Sequence, residues 1–164
     1  MYATLAAILL LAATALPKDA VIAHATGAMD GAGEPIGNVK VIFTDGHSEM
    51  WTKRGDCMLP RVSNAGLVGW MRVSTRDENN TPFYSTVRVC WPDGHYQDFG
   101  FDAGAPYLED WNFAGDNKTL VMRSHWKHGP AHYTEYDLVT GKAIGRAQES
   151  STDLPAWVQV VSGR

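Results

Sequence analysis

Hydrophobic residues along this chain alternate with polar ones in short runs and do not recur at helical spacing. Val39, Val41 and Phe43 share one face of the run VKVIF, and Val87, Val89 and Trp91 share one face of VRVCW, because strand side chains alternate with period two. Each run leads into the same tripeptide, Asp45-Gly46-His47 or Asp93-Gly94-His95. That pattern predicts two β-hairpins, with Asp-Gly supplying the two positive-φ residues of a type I′ turn. HYTEYDLVTG over 132–141 is a weaker third copy. Alternation predicts further strands over 48–52, 67–73, 96–101, 119–124, 133–138 and 143–146, and one more over 157–161. Polar or Gly-Pro-rich connections are expected around Cys57, from Thr75 to Pro82, and through Pro130.

The turn glycines at 46, 94 and 141 lie 48 and 47 residues apart, a period in the range of propeller blades and not of helical repeats. The expected fold class is therefore all-β, an antiparallel β-meander of about three propeller-blade-like repeats, with an open β-sandwich as the alternative. Sixteen glycines, eight prolines and six tryptophans in 164 residues agree with short strands joined by turns and packed on aromatic bulk. The expected organisation is a signal peptide over 1–15, a flexible Ala- and Gly-rich leader over 16–38, and a β-repeat domain over 39–164.

Two stretches resemble the "SPDGK then apolar strand" opening of the WD40-like, TolB-type β-propeller repeat. They are Ser63-Asn64-Ala65-Gly66-Leu67-Val68-Gly69-Trp70 and Phe113-Ala114-Gly115-Asp116-Asn117-Lys118-Thr119-Leu120-Val121-Met122. Tyr136-Asp137-Leu138-Val139-Thr140-Gly141-Lys142 resembles the close of that repeat. The resemblance spans roughly residues 39–146 and implies an envelope scaffold that contacts other proteins. The first unit has only its second half, and about three units are fewer than the four to eight blades that close a propeller. Closure by association of copies, as a homo-oligomer, stays open beside an open assembly.

The first sixteen residues, MYATLAAILLLAATAL, are apolar and end in small residues, and Ala13-Thr14-Ala15 fits a secretory cleavage site; Ala23-His24-Ala25 offers a second cut. Export to the periplasm or outside the cell is the expectation, with no stable membrane span after cleavage and a protein partner in the cell envelope or beyond it. A net charge of −4 argues against nucleic acid as a partner. Cys57 and Cys90 either pair as a disulfide in that oxidising compartment or pack as two buried thiols.

Two clusters could carry chemistry. The segment from Ser124 to His132 holds three histidines in eight residues; His125, Trp126, Lys127, His128 and His132 are the expected binding residues of a rim loop. The imidazoles could gather a divalent metal, but their spacing fits no zinc pattern, so the loop is read as a contact surface with no cofactor. From Asp93 to Asp116 there are six carboxylates, Asp93, Asp98, Asp102, Glu109, Asp110 and Asp116, and no Lys or Arg. They could bind calcium or form an acid pair, or sit singly at turns. Gly-x-Ser-x-Gly, His-Glu-x-x-His and phosphate-loop motifs are absent from the sequence. The expected function is an exported, non-enzymatic protein-interaction or scaffold module. The alternative is an extracytoplasmic hydrolase using the acidic stretch or the His-rich loop.

Overall fold

A computed structural model describes residues 20–29, 33–76, 82–100, 107–126 and 128–162. The expected signal peptide over 1–15 lies outside the described residues, as do Asp102 and Lys127. The fold is all-β, with eleven strands among the described residues in three antiparallel sheets. The first sheet is β1 (Ala20–Ala25), β2 (Val39–Phe43) and β3 (Ser48–Met50), in that order. The second runs β4 (Cys57–Val62), β5 (Val68–Arg76), β6 (Pro82–Cys90) and β7 (Tyr96–Gly100). The third contains β8 (Tyr107–Phe113), β9 (Thr119–His125), β10 (His132–Asp137) and β11 (Ala143–Gln148), each beside its chain neighbour.

The alternation expected from sequence has two buried faces to serve, because the second sheet lies between the other two. Its even-numbered β5 positions, Val68 and Trp70, pack with Val39, Val41, Phe43 and Cys57 against the first sheet. Met71, Val87 and Val89 point the opposite way and meet Trp111, Phe113, Leu120 and Met122 of the third. The outer face of the third sheet, carrying Val121 and Tyr133, is covered by Val158 and Val161. These belong to a 3-10 turn, Ala156–Val158, and a short helix α1, Gln159–Ser162. The strand expected over 157–161 is therefore helical. Its apolar residues at i and i+3 form one helical face, a pattern that a five-residue run shares with a strand.

Three other expectations change. Residues 20–25, read as flexible leader, form β1, which pairs with β2 from Ala20↔Phe43 to Ala25↔Val39. Small residues suit it: Ala20 is buried in the core shared with the second sheet, Ala23 packs against that core, and Ala25 is buried as well. Cys57, expected in a connection, begins β4, and Tyr107–Phe113 is a strand where a turn opening was expected.

The Asp-Gly hairpins are also not two-residue type I′ turns. Gly46 N–H donates to Phe43 O and Phe43 N–H to His47 O, 2.9 and 3.1 Å, closing three-residue loops; Gly94, Trp91 and His95 repeat this. Only the glycines have positive φ there, +83° and +88°, so these are type I turns followed by a glycine bulge. The aspartates have a different task. Asp45 and Asp93 accept the backbone N–H of His47 and His95, 3.2 and 3.1 Å, and stand 2.5 Å from each ring's Nδ1. Each imidazole then stacks on the aromatic residue opening the turn, Phe43 or Trp91, with centroids 4.4 Å apart. The repeated Asp-Gly-His is thus a turn lock. Donation from His95 holds the Asp93 carboxyl below the usual carboxylate range.

Candidate binding site

The His-rich segment does not converge. His125 ends β9 and His132 begins β10, opposite Ser124, so the two histidines project from opposite faces of the third sheet. His125 Nε2 lies 2.5 Å from Glu109 Oε1, and its Nδ1 faces the carbonyl of Trp126, leaving neither ring nitrogen open to a ligand. Trp126 and His128 remain exposed, Trp126 at 45%. Among the described residues no three His, Cys, Asp or Glu side chains gather as a metal site would require.

The acidic stretch is likewise dispersed, each described carboxylate serving a local partner. Asp98 takes Arg72 and Arg88, Asp110 takes Arg61 at 2.7 Å, and Asp116 accepts the Lys118 N–H. A bulge between Leu108 and Asp110 turns Glu109 toward Arg123, 2.7 Å away, as well as toward His125. One member of each expected cluster therefore meets the other, in a pin that ties β8 to β9.

A groove that neither cluster foretold lies where the first sheet stops short of covering the second. The first sheet has three strands against four, and β1 lies over β4. After Trp51 the chain leaves the sheet through residues 52–56, and among the described residues no fourth strand of that sheet follows. The resulting groove has a volume of about 530 Å³. Its floor is Cys57, Trp70 and Cys90, and Trp51 and Tyr96 contribute aromatic walls. Lys53, Arg54, Arg72 and Arg88 line it as four cations; the carboxylate in the lining is Asp56, and Asp98 pairs with Arg72 and Arg88 at its border.

The cations divide into two kinds. Asp98 Oδ1 and Oδ2 take Arg88 Nε and Nη2, both at 2.7 Å, and Arg72 Nη1 joins Oδ2 at 3.0 Å. Arg88 also lies 3.9 Å over the Tyr96 ring, which is 58% exposed, so two guanidiniums are held in place before any ligand arrives. Lys53 and Arg54 are exposed on the connection above, with no ion pair to another described residue. Trp51 packs edge-on to Trp70, 6.5 Å between centroids, and its Nε1 donates to Glu49 at 3.1 Å.

Cys57 and Cys90 are both free thiols on this floor. Cys57 is opposite Arg72 and Cys90 opposite Val68 on the intervening β5, so they are four residues apart along the strand and on either side of it. Four residues of strand span about 13 Å, beyond the roughly 7 Å that a disulfide bridges between Cα atoms. Of the two arrangements the sequence allowed, a disulfide or two packed thiols, the structure has the packed thiols. Burial pushes both thiols up to about 11, which keeps them protonated and poor nucleophiles at neutral pH.

Nothing in the alternation reported the groove, because it depends on how many strands one sheet has relative to the next. The only available signal was the basic run Lys53-Arg54 immediately after the first hairpin, in a chain of net charge −4. No protein-family model and no curated protein matches the chain. Among the described residues no helix is long and apolar enough to cross a membrane.

Proposed function

We propose that this chain is an exported, non-enzymatic protein-interaction or scaffold module built of propeller-blade-like sheets, and that it holds an anionic partner in the groove between its first and second sheets. One observation carries the reading: four cations, two of them without an ion pair to a described residue, line an aromatic-walled groove in a protein whose net charge is −4. Such local excess of one sign steers an oppositely charged partner and fixes its orientation. Export is supported by the apolar N-terminal run ending in small residues. The partner belongs to the cell envelope or the space beyond it.

The test is binding of poly-L-glutamate to the immobilised protein, native and as the Lys53→Glu/Arg54→Glu variant. Both side chains are exposed, so the variant should fold as the native chain does. Native protein should bind at low salt, release the polymer as salt rises, and lose roughly tenfold or more in affinity on charge reversal. Equal binding by the two proteins would remove the groove from the account.

A further inference from the structure

The groove adjoins the end of β3: Trp51 and Thr52, which follow that strand directly, line it, and β3 is the last strand of its sheet among the described residues. On either side of β3 the backbone of His47 and of Trp51 bonds to β2, through Phe43 N–H to His47 O and Trp51 N–H to Val39 O. Antiparallel pairing alternates, so Glu49 also faces β2, opposite Val41, while the N–H and C=O groups of Ser48 and Met50 point away from it. β3 is the last strand of its sheet among the described residues, none of which pairs with these groups, and both residues are exposed. Trp51, next after β3, packs edge-on to Trp70 of β5, and β6 and β7 follow β5 in the second sheet, so the place beside that edge faces β6 and β7. The side chains there are Arg88, Cys90 and Tyr96, with Arg72 alongside and Asp98 bridging the two arginines.

We infer that the partner adds a strand: an extended, acidic peptide segment of another protein pairs with the outer edge of β3 and lays every second side chain onto the Arg72–Arg88 face. This rests on the groove reading above and specifies its ligand. Backbone pairing gives such a segment affinity independent of its sequence, and the side chains that alternate toward the groove give it specificity. Carboxylates at those inward positions meet the guanidinium N–H groups of Arg72 and Arg88 that Asp98 does not take, while Lys53 and Arg54, unpaired among the described residues, supply charge from the connection. Apolar residues between them would stand on the opposite face, continuing the outer surface that Ile22, Ile42 and Met50 already form. A strand of three residues is a short template. The charge beneath it therefore decides which peptides stay, and that selects acidic ones over neutral ones.

The probe is an acetylated, amidated nonapeptide alternating Glu and Val, titrated into the full chain while Trp fluorescence is followed. A second peptide of the same sequence carries N-methyl groups on the amides of one edge, a third carries them on the other edge, and oligogalacturonate supplies carboxylates on a saccharide. The inference expects binding by the parent peptide, loss of roughly tenfold or more with one methylated edge only, and slowed amide exchange at Ser48 and Met50 in the complex. The Lys53→Glu/Arg54→Glu variant should bind the parent peptide at least tenfold more weakly. If both methylated peptides bind like the parent but charge reversal still abolishes binding, strand addition is overturned while the anionic groove stands. If oligogalacturonate binds and the peptide does not, the partner is a saccharide and the inference fails. If no anionic probe binds the native chain, the groove reading itself falls.

Discussion

Gly69→Ala should be one of the more damaging single-methyl additions in this protein, although the residue sits in an ordinary strand conformation. A Cβ at position 69 would stand 2.5 Å from Trp111 Cη2, 3.1 Å from Cζ3 and 3.2 Å from the Arg88 carbonyl oxygen. Carbon atoms pack at about 3.5–4.0 Å, so the indole or the strand must move by about 1 Å. Neither moves freely. Trp111 is fully buried, donates Nε1–H to Leu59 O at 3.0 Å, and packs edge-on to Phe113 at 5.1 Å. Overpacking in such a site costs about 1–3 kcal/mol, a substantial part of the roughly 5–15 kcal/mol that holds a domain folded. Equilibrium urea unfolding of a four-member cycle measures it: native, Gly69→Ala, Trp111→Phe and the double variant. Phe has no atoms where Cη2 and Cζ3 stood, so the double variant should be more stable than the sum of the single losses predicts, by about 1–2 kcal/mol. A neutral Gly69→Ala, or losses additive within about 0.5 kcal/mol, would refute the claim that the second and third sheets meet at this contact.

Other consequences are independent of that contact. Gly94 has φ +88° and open space around its missing Cβ, whereas Gly115 has the same open space without a positive φ. Gly94→Ala should therefore cost about 1–2 kcal/mol and Gly115→Ala about 0.5 kcal/mol or less, and matching urea midpoints would reject the bulged-turn assignment. The thiols of Cys57 and Cys90, raised to about 11 by burial, are favoured as neutral groups by folding. Their contribution is fully present below the unfolded thiol value of about 8.5 and is lost as pH climbs through about 11. Native protein should accordingly resist iodoacetamide at pH 8 and react quickly in urea; a Cys57 to Cys90 bridge found by mass spectrometry, or equal rates in both states, would contradict this. Replacing Trp126 and His128 together by Ala should leave Tm nearly unchanged because both are exposed, whereas Arg123→Ala should lower it by freeing Glu109. Unfolding of the double variant would place Trp126 and His128 in the core.

The sequence by itself determined the local grammar of this protein. Alternation in VKVIF and VRVCW marks strands because a period of two is a property of the backbone, and Gly46 and Gly94 mark turns because only their φ is cheap without a Cβ. The 47–48-residue spacing likewise announces one antiparallel sheet per unit, and the third and second sheets bear it out. Beyond the hairpin, contacts between distant residues decide. The turn class depends on a hydrogen bond from Phe43 to His47 that Asp-Gly permits in more than one geometry. Residues 20–25 look featureless alone and become a strand only because β2 and β4 offer an edge and a close, alanine-sized surface. His125 leaves the His-rich cluster because one residue of alternation separates its face from that of His132, and Glu109 reaches it only through a bulge. The groove is the furthest from legibility. It exists because three strands cover four, so Arg72, Arg88 and Tyr96, separate in sequence, share one uncovered face that only the stacking of whole sheets could assemble.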